Sequence, residues 1–252
     1  RVLYADFLSM YPTVCSLMGL WRYIVAEGIE TYDATSEVRE LLGTISVDDH
    51  YMFTVSDAVQ NAGAAEVRLA QRGVVARHGM PTNLQNIFVV HEGLIRHTDG
   101  EFNELDYADM EDLGPVEREG APAEVIEATT DGWIGFTDHY WMTTLVPAQG
   151  TAFTVVAKYT PGSNIYQAEV RQPLQTLAAG ATITASQQLF AGAKEWETIG
   201  TYQDTGIAGF IDSIDWGWFF FLTKPIFAVL HWLNALIGNM GLAIMGLTFV
   251  LK

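Results

Sequence analysis

Residues that could bind a metal ion or carry out covalent chemistry are thinly spread along this chain. The six histidines stand singly, and the sequence holds neither an HExxH motif nor a CxxC pair. A single cysteine, Cys15, excludes an internal disulfide. Because metal sites need closely spaced histidine, cysteine or carboxylate ligands, we predict no catalytic residue, no metal site and no cofactor.

Acidic residues dominate the charge of the chain. Asp and Glu number 30 against 13 Lys and Arg, which gives a formal net charge of -17 at pH 7. Such a surface repels a phosphate backbone, so nucleic acid is not an expected partner. The densest acidic run, residues 99–112 (DGEFNELDYADMED), lacks the spacing of a calcium-binding loop and is interpreted as a solvated loop.

One group of side chains has the types found in ligand sites. Trp133, Asp138 and His139 could form a concave aromatic and carboxylate site for a sugar or a peptide. The alternative is that the aromatic residues of this stretch belong to a hydrophobic core, and we favour that interpretation. These aromatic residues are Trp133, Phe136, Tyr140 and Trp141.

Segments that alternate apolar and polar residues fill the middle of the chain. They are residues 51–55, 67–69, 87–90, 132–137, 141–146, 152–159, 164–171 and 182–189. A turn at residues 61–63 predicts a hairpin between the first two. Many short strands separated by turn residues predict a mainly β fold, a β-sandwich. Before them, residues 35–42 (TSEVRELL) have a serine cap and helical spacing, which predicts a short helix.

The sequence becomes almost uninterruptedly hydrophobic from Trp216. Residues 216–222 (WGWFFFL) form an aromatic cluster of the kind that lies at a membrane interface. Pro225 fits the first turn of a helix that would end near residue 237. The residues that we predict at the membrane interface are Trp216, Trp218, Phe219, Lys224, Pro225 and Trp232.

Polar residues form a narrow stripe on this predicted helix. Lys224, His231 and Asn234 share one side, and apolar residues cover the rest, which indicates a helix lying in an interface. Residues 238–241 (GNMG) then interrupt the helical pattern, and residues 242–251 are apolar. A spanning helix needs roughly 20 apolar residues, so we predict an incomplete transmembrane helix here. A buried helical hairpin in a soluble protein is the alternative.

Nine sequence motifs resemble the YidC/Oxa/Alb family of membrane protein insertases, in particular its alphaproteobacterial YidC members. Six of them are ISVDDHYMFTV at 45–55, RHG at 77–79, HEG at 91–93, GWIGFTDHYWM at 132–142, LFAGAKE at 189–195 and DWGWF at 215–219. The other three continue the resemblance in the family's order, and they are KPIF at 224–227, LHW at 230–232 and GNMGLAI at 238–244. The resemblance covers about four fifths of the chain.

The resemblance implies an order of domains. A β-supersandwich on the periplasmic side would occupy residues 45–198 and be incomplete at its N-terminus. A connector at 199–218, an interfacial amphipathic helix at 219–237 and the start of the first core transmembrane helix at 238–252 would follow. Because the family has a membrane anchor before the β-domain and further core helices after this one, we expect a fragment that does not insert proteins by itself.

The resemblance also implies a function without covalent chemistry, namely insertion and folding of membrane proteins in the bacterial inner membrane. Nascent membrane proteins and the lipid bilayer would be the partners, and the sequence leaves open whether a Sec-type translocon takes part. The family carries a positive charge in a hydrophilic groove, and by position that charge falls on Lys252. A cation inside a bilayer costs on the order of 3 kcal/mol and is kept where it is hydrated or paired. Alternatively, Lys252 lies at the membrane surface.

The start of the chain resembles something else. Residues 5–14 (ADFLSMYPTV) are similar to the first palm motif of family B DNA polymerases, so residues 1–44 are interpreted as a short α/β segment of foreign origin. That resemblance implies Asp6 as a divalent-metal ligand and Tyr11 as a sugar gate. The second aspartate and the Lys-rich helix of such an enzyme are missing from the sequence, and we expect no polymerase activity. We interpret the junction near residue 44 as a joining error or a rearranged gene.

Overall fold

A computed structural model describes residues 38–81, 84, 90–217 and 220–251, with side chains for residues 45–81, 84, 90–217 and 221–249. The chain divides into two compact units. The first, here called the β unit, extends to Ser213, and the second, here called the helical unit, begins at Ile214. Strands and short turns fill the β unit, which confirms the predicted mainly β fold.

The β unit contains fourteen strands among the described residues. They are Val38–Val47 (β1), Met52–Asn61 (β2), Val67–Leu69 (β3), Arg72–His78 (β4), Gly93–Thr98 (β5), Glu101–Asp106 (β6), Pro115–Val116 (β7), Ala121–Ala128 (β8), Gly132–Thr137 (β9), Trp141–Val146 (β10), Phe153–Thr160 (β11), Ile165–Arg171 (β12), Gln175–Leu177 (β13) and Thr182–Ala193 (β14). Two helices accompany them, Tyr107–Glu111 (α1) and Trp196–Asp204 (α2). The helical unit holds Phe220–Ile237 (α3) and Met240–Leu251 (α4).

The strands form two large antiparallel sheets and one small ribbon. The seven-stranded sheet has the order β1-β2-β14-β10-β9-β5-β6, and the five-stranded sheet has the order β4-β12-β11-β8-β7. The ribbon pairs β13 with β3. Since β2 lies between β1 and β14, the predicted hairpin of residues 51–55 with residues 67–69 is wrong. The predicted turn at residues 61–63 leads instead to a separate ribbon.

The main core lies between the two large sheets. Successive side chains of a strand point to opposite faces, so alternate residues of β9 and β10 reach this core. Its buried members include Leu94, Tyr107, Met110, Ile134, Phe136, Leu145, Phe153, Val155, Tyr166, Val170 and Leu189. The alternation seen in the sequence at residues 132–137 and 141–146 is therefore the pattern that packs the two sheets together.

A second apolar cluster covers the other face of the seven-stranded sheet. Trp133 on β9 and Phe190 on β14 both pack edge-on against Phe210, with ring centroids 5.5 and 5.6 Å apart. Phe210 begins a 3-10 turn, Phe210–Ser213, and Ile199 on α2 is fully buried as well. Helix α2 and this turn therefore close the face of the sheet that points away from the five-stranded sheet.

An ion-pair network on the five-stranded sheet joins β4, β12 and the turn before β8. The carboxylate of Glu169 is fully buried and accepts hydrogen bonds from Arg72 and Arg171. Arg171 also donates two hydrogen bonds to Glu119, at 2.6 and 2.7 Å. These guanidinium hydrogen bonds lower the pKa of Glu119 against the opposing effect of burial. A buried carboxylate needs such partners, since an unpaired buried charge is strongly destabilising.

Three predictions from sequence are wrong in this unit. The predicted helix at residues 35–42 is a strand over its described part, because residues from Val38 onward pair with β2. The acidic run at 99–112 is not a loop, because it forms β6 and α1 and buries Tyr107 and Met110. Tyr140 and Trp141 are not core residues: they lie at the β9–β10 turn and are 67% and 52% exposed, whereas Trp133 and Phe136 are buried as predicted.

Strand β1 runs through the position near residue 44 where we placed a junction, and its pairing with β2 extends on both sides of that position. Helix α2 likewise spans the predicted boundary at residue 198. The predicted domain boundaries at residues 44, 198, 218 and 237 stay predictions.

Candidate functional site

The helical unit exposes most of its large apolar side chains. Between Trp216 and Leu251 the sequence carries one charged residue, Lys224. The exposed apolar side chains of this unit are Phe221, Leu222, Phe227, Val229, Trp232, Leu236, Ile237, Met240, Leu242, Ile244, Met245 and Phe249. Exposed apolar surface of this density is typical of a surface that contacts another protein or a membrane. Helices α3 and α4 are therefore the candidate functional site.

A tight turn makes the two helices into a hairpin. Gly238 adopts a φ of +71°, a left-handed conformation that costs little without a Cβ, and its N–H donates to the carbonyl of Asn234 at 2.8 Å. The side chain of Asn239 then accepts from the N–H of Leu242 at 3.1 Å, which caps the start of α4. Ala243 and Leu247, one turn apart on α4, are buried. The sequence GNMG predicted this interruption of the helix.

An aromatic and cationic cluster marks the beginning of α3. The Nζ atom of Lys224 lies 5.7 Å from the ring centroid of Trp216, a cation-π distance. Phe227 packs edge-on against Trp216 at 5.8 Å and stacks with His231 at 6.4 Å. The hydroxyl of Thr223 donates to the carbonyl of Trp216 at 2.8 Å. This cluster gives α3 one polar and aromatic side.

The structure brings together two of the predicted interface residues, Trp216 and Lys224. Trp232 is 62% exposed on the same helix, and Pro225 lies inside α3 near its start. His231, which the sequence analysis placed on the same polar stripe as Lys224, also joins this cluster. Phe227 joins it although it was not among the individually predicted interface residues. Their spacing of three and seven residues from Lys224 places both on one side of a helix. The predicted residues Asp6, Tyr11, Trp218, Phe219 and Lys252 lie outside the described residues.

The lengths of the helices bear on the predicted transmembrane segment. Helix α3 has 18 residues and α4 has 12. Within the described residues, no helix combines the length and the hydropathy needed to cross a membrane.

The alternative ligand site at Trp133, Asp138 and His139 is not formed. Trp133 is fully buried, and its indole N–H donates to the carbonyl of Ala208 at 3.0 Å, so the ring offers no open face to a sugar. The carboxylate of Asp138 lies 3.5 Å from the guanidinium of Arg77. The His139 ring packs edge-on against Tyr140 at 4.0 Å. Trp133 belongs to the core beneath α2 and the 3-10 turn.

A polar cleft of about 720 Å³ lies between α2 and the seven-stranded sheet. Ser46, Thr54 and Gln188 line its floor and stand in one cross-strand row. At its side the hydroxyl of Tyr202 donates to Asp48 at 2.5 Å. Burial opposes ionisation of Asp48, but the hydrogen bonds from Tyr202 and from two backbone N–H groups outweigh it and lower the pKa of Asp48. This contact ties α2 to the β1–β2 turn.

The comparisons with known proteins agree with a two-sheet β-sandwich. The family model described as the YidC periplasmic domain matches residues 31–229. The chain therefore belongs to the YidC periplasmic domain family. The match begins before residue 44 and includes all fourteen strands.

Relatives named membrane protein insertase YidC resemble the chain closely in sequence. One from Cereibacter sphaeroides is 63% identical over 219 residues, covering 83% of this chain and 35% of the relative. Others from Ruegeria sp. and Paracoccus denitrificans are 59% and 58% identical, covering 82% and 83% of this chain and 34% and 33% of themselves. The chain thus spans about a third of the length of the curated relatives that it matches.

The likeness to solved structures is weaker. A galactose mutarotase related enzyme from Lactobacillus acidophilus has a TM-score of 0.39 and 10% identity, covering 59% of this chain and 60% of that one. A likeness of this size supports no conclusion about function. The matches give no support to the resemblance of residues 1–42 to DNA polymerases, since the family match begins within that segment.

Proposed function

We propose that this chain is part of a membrane protein insertase of the bacterial inner membrane, with the β unit in the periplasm and the helical hairpin in contact with the bilayer. The observation that carries the proposal is the 63% identity to a relative named membrane protein insertase. The exposed apolar surface of α3 and α4 supports it from the structure. The clients would be nascent membrane proteins, and a Sec-type translocon is a further proposed partner.

Physical chemistry supports placing α3 at the membrane interface. Trp216 and Trp232 have apolar rings with one polar N–H each, and such residues are enriched at the boundary between lipid and water. Lys224 can keep its ammonium group among headgroups while its aliphatic stem covers apolar surface. No covalent step is part of this proposal.

The proposed roles of three further residues rest on the family resemblance alone. Trp218 and Phe219 would belong to the same interface, and Lys252 would supply the positive charge of a hydrophilic groove. All three lie outside the described residues.

Quenching of tryptophan fluorescence by brominated lipids tests the bilayer contact. We expect the chain to float with vesicles and its fluorescence to be quenched by bromines near the headgroups. Trp232→Phe should remove part of that quenching, because it deletes an exposed indole. Trp133→Phe is the matched control: it deletes a buried indole of the β unit and should leave the quenched component intact. Recovery of the whole chain unbound to vesicles would refute the membrane contact.

A chimera tests the insertase activity. Residues 45–251 would replace the matching stretch of the Cereibacter sphaeroides relative, and insertion of a test membrane protein would be followed in cells depleted of their own insertase. We expect insertion to be restored, and Phe249→Asp in the same chimera to impair it. A chimera that accumulates in the membrane at normal levels but restores no insertion would contradict the proposal.

A further inference from the structure

A buried histidine holds residues 205–213 against the seven-stranded sheet. These residues, here called the docking segment, connect α2 to the last residue of the β unit. His97 on β5 is 5% exposed and stacks on Trp133 with ring centroids 6.0 Å apart. Gly209 of the docking segment lies directly against the His97 ring, so close that a methyl group there would overlap it.

The docking segment holds this histidine and tryptophan pair with three consecutive residues. The carbonyl of Ala208 accepts the indole N–H of Trp133 at 3.0 Å. Gly209 covers His97, with a φ of +64° that a residue with a side chain rarely adopts. Phe210 packs edge-on against Trp133. His97 can therefore stay buried only while the docking segment is in place.

His97 lies near carboxylate groups that would interact with it if it were protonated. Its Nδ1 atom lies 3.7 Å from the Oδ1 atom of Asp131, and within the described residues neither atom has a hydrogen-bond partner. The charged groups that face His97 are three carboxylates, on Asp131 before β9, on Asp212 in the docking segment and on Asp99 in the β5–β6 turn. Asp99 is held ionised by N–H groups of Thr130 and Thr129, which keep its pKa well below the usual range.

We propose that His97 is a pH-sensitive latch, which holds the docking segment on the sheet when neutral and releases it when protonated. Histidine is the side chain whose charge ordinarily changes between pH 5 and pH 8. An imidazolium ion buried beside Trp133 and Gly209 would lack water, and its nearest counter-charge, on Asp131, lies beyond hydrogen-bond distance. Opening of the docking segment gives that ion water.

The direction of the effect follows from proton linkage. Burial lowers the pKa of His97 below 6.5 in the docked state, and this outweighs the opposing attraction of Asp131, Asp212 and Asp99. In the open state His97 is solvated and binds a proton more readily. Docking is therefore fully favoured above about pH 6.5 and weakens as the pH falls below it, by at most about tenfold per pH unit until docked His97 itself titrates.

Hydrogen exchange on the full chain in detergent micelles measures the latch. We expect protection factors of residues 205–213, corrected for the intrinsic pH dependence of exchange, to fall severalfold between pH 7.5 and pH 5.5. Strand β9 should stay protected at both values, because the latch opens locally. An equal loss of protection in β9 would mean that acid unfolds the whole β unit, and it would overturn the proposal.

Three variants test whether His97 causes the pH dependence of docking-segment protection. His97→Gln should make protection of the docking segment independent of pH in this range. Asp131→Asn should enlarge the loss of protection at pH 5.5 and extend it to lower pH. It removes the nearest charge that favours imidazolium and so lowers the pKa of docked His97, while the pKa of the open state, which sets the onset, stays the same. His78→Gln is the control, since burial also lowers the pKa of His78, and it should respond as the parent chain does.

An unchanged protection of the docking segment in the parent chain, or the same pH response in His97→Gln, would refute the latch. If His97→Gln does not fold, the NMR titration of the His97 ring in the parent chain decides. A pKa below 6.5 supports the latch, and a pKa of 6.5 or higher overturns it.

Discussion

The β unit buries its largest apolar side chains, whereas the helical unit exposes many of its own. Trp133, Phe190 and Phe210 of the β unit are fully buried, whereas Trp232 and Phe249 of the helical unit are 62% and 87% exposed. Both sets consist of large aromatic residues, so the residue type by itself does not determine what covers the side chain. In the β unit other residues of the same chain cover the aromatic rings, and we propose that lipid covers those of the helical unit.

The largest expected effect comes from opening the core of the β unit. Trp133→Ala should cost about 4 kcal/mol of unfolding free energy, because it leaves a cavity and removes the partner of the Ala208 carbonyl. Denaturant unfolding followed by circular dichroism measures it. Tyr140→Ala, which truncates an exposed aromatic residue of the β9–β10 turn, should change stability by no more than about 0.5 kcal/mol. Equal losses in the two variants would contradict the burial of Trp133.

An intermediate effect is expected at the exposed side of α4. Phe249→Ala should weaken vesicle binding by about 2 kcal/mol, roughly thirtyfold, because a ring is no longer transferred from water to lipid. Stability of the β unit should not change. Titration of the chain with vesicles gives the partition coefficient, and an unaltered coefficient would show that Phe249 stays outside the bilayer.

The smallest effect is expected where α2 meets the β1–β2 turn. Tyr202→Phe removes the hydroxyl that donates to Asp48 and should cost about 1 kcal/mol near neutral pH. A carboxyl with a lowered folded-state pKa stabilises the fold above its unfolded pKa, and this stability is lost as the pH falls through the folded pKa. The variant should therefore lose stability less steeply below pH 4 than the parent chain. Tyr140→Phe serves as the control. If the unfolding free energies of the parent chain and Tyr202→Phe fell equally steeply below pH 4, the role of this contact would be contradicted.

Local pattern predicted the strands whose two faces are both packed. Residues 132–137 and 165–171 are rich in β-branched, aromatic and alternating residues and are flanked by Gly, Pro, Asn or Asp, so the strands formed close to where they were predicted. The hairpin break at Gly238 was equally local, since a glycine and an asparagine suffice to end one helix and begin another. These features need no knowledge of distant residues.

Distant partners decided what the sequence did not predict. Residues 38–42 have helical spacing, yet they pair with β2 on both sides of an irregularity between Glu40 and Leu42, and tertiary pairing overrides a weak local preference. Tyr107 and Met110 lie in an acidic run, and only distant residues make them core residues: Tyr107 packs against Phe136 of the seven-stranded sheet and Tyr166 of the five-stranded sheet. The pairing of His97 with Asp131 and Gly209 joins positions far apart in the chain, which spacing cannot show.

The pairing of β2 with β14 sets an order on how the β unit can form. The Ser56 and Ser186 hydroxyls meet across these strands although 130 residues separate them. A pairing of such long range requires closure of a large loop and is slow to form. A chain delivered N-terminus first would expose the edge of β2 until β14 emerged. The seven-stranded sheet is therefore complete only after its last strand, β14, has been delivered. Chaperones that shield unpaired strand edges would matter most between the delivery of β2 and that of β14.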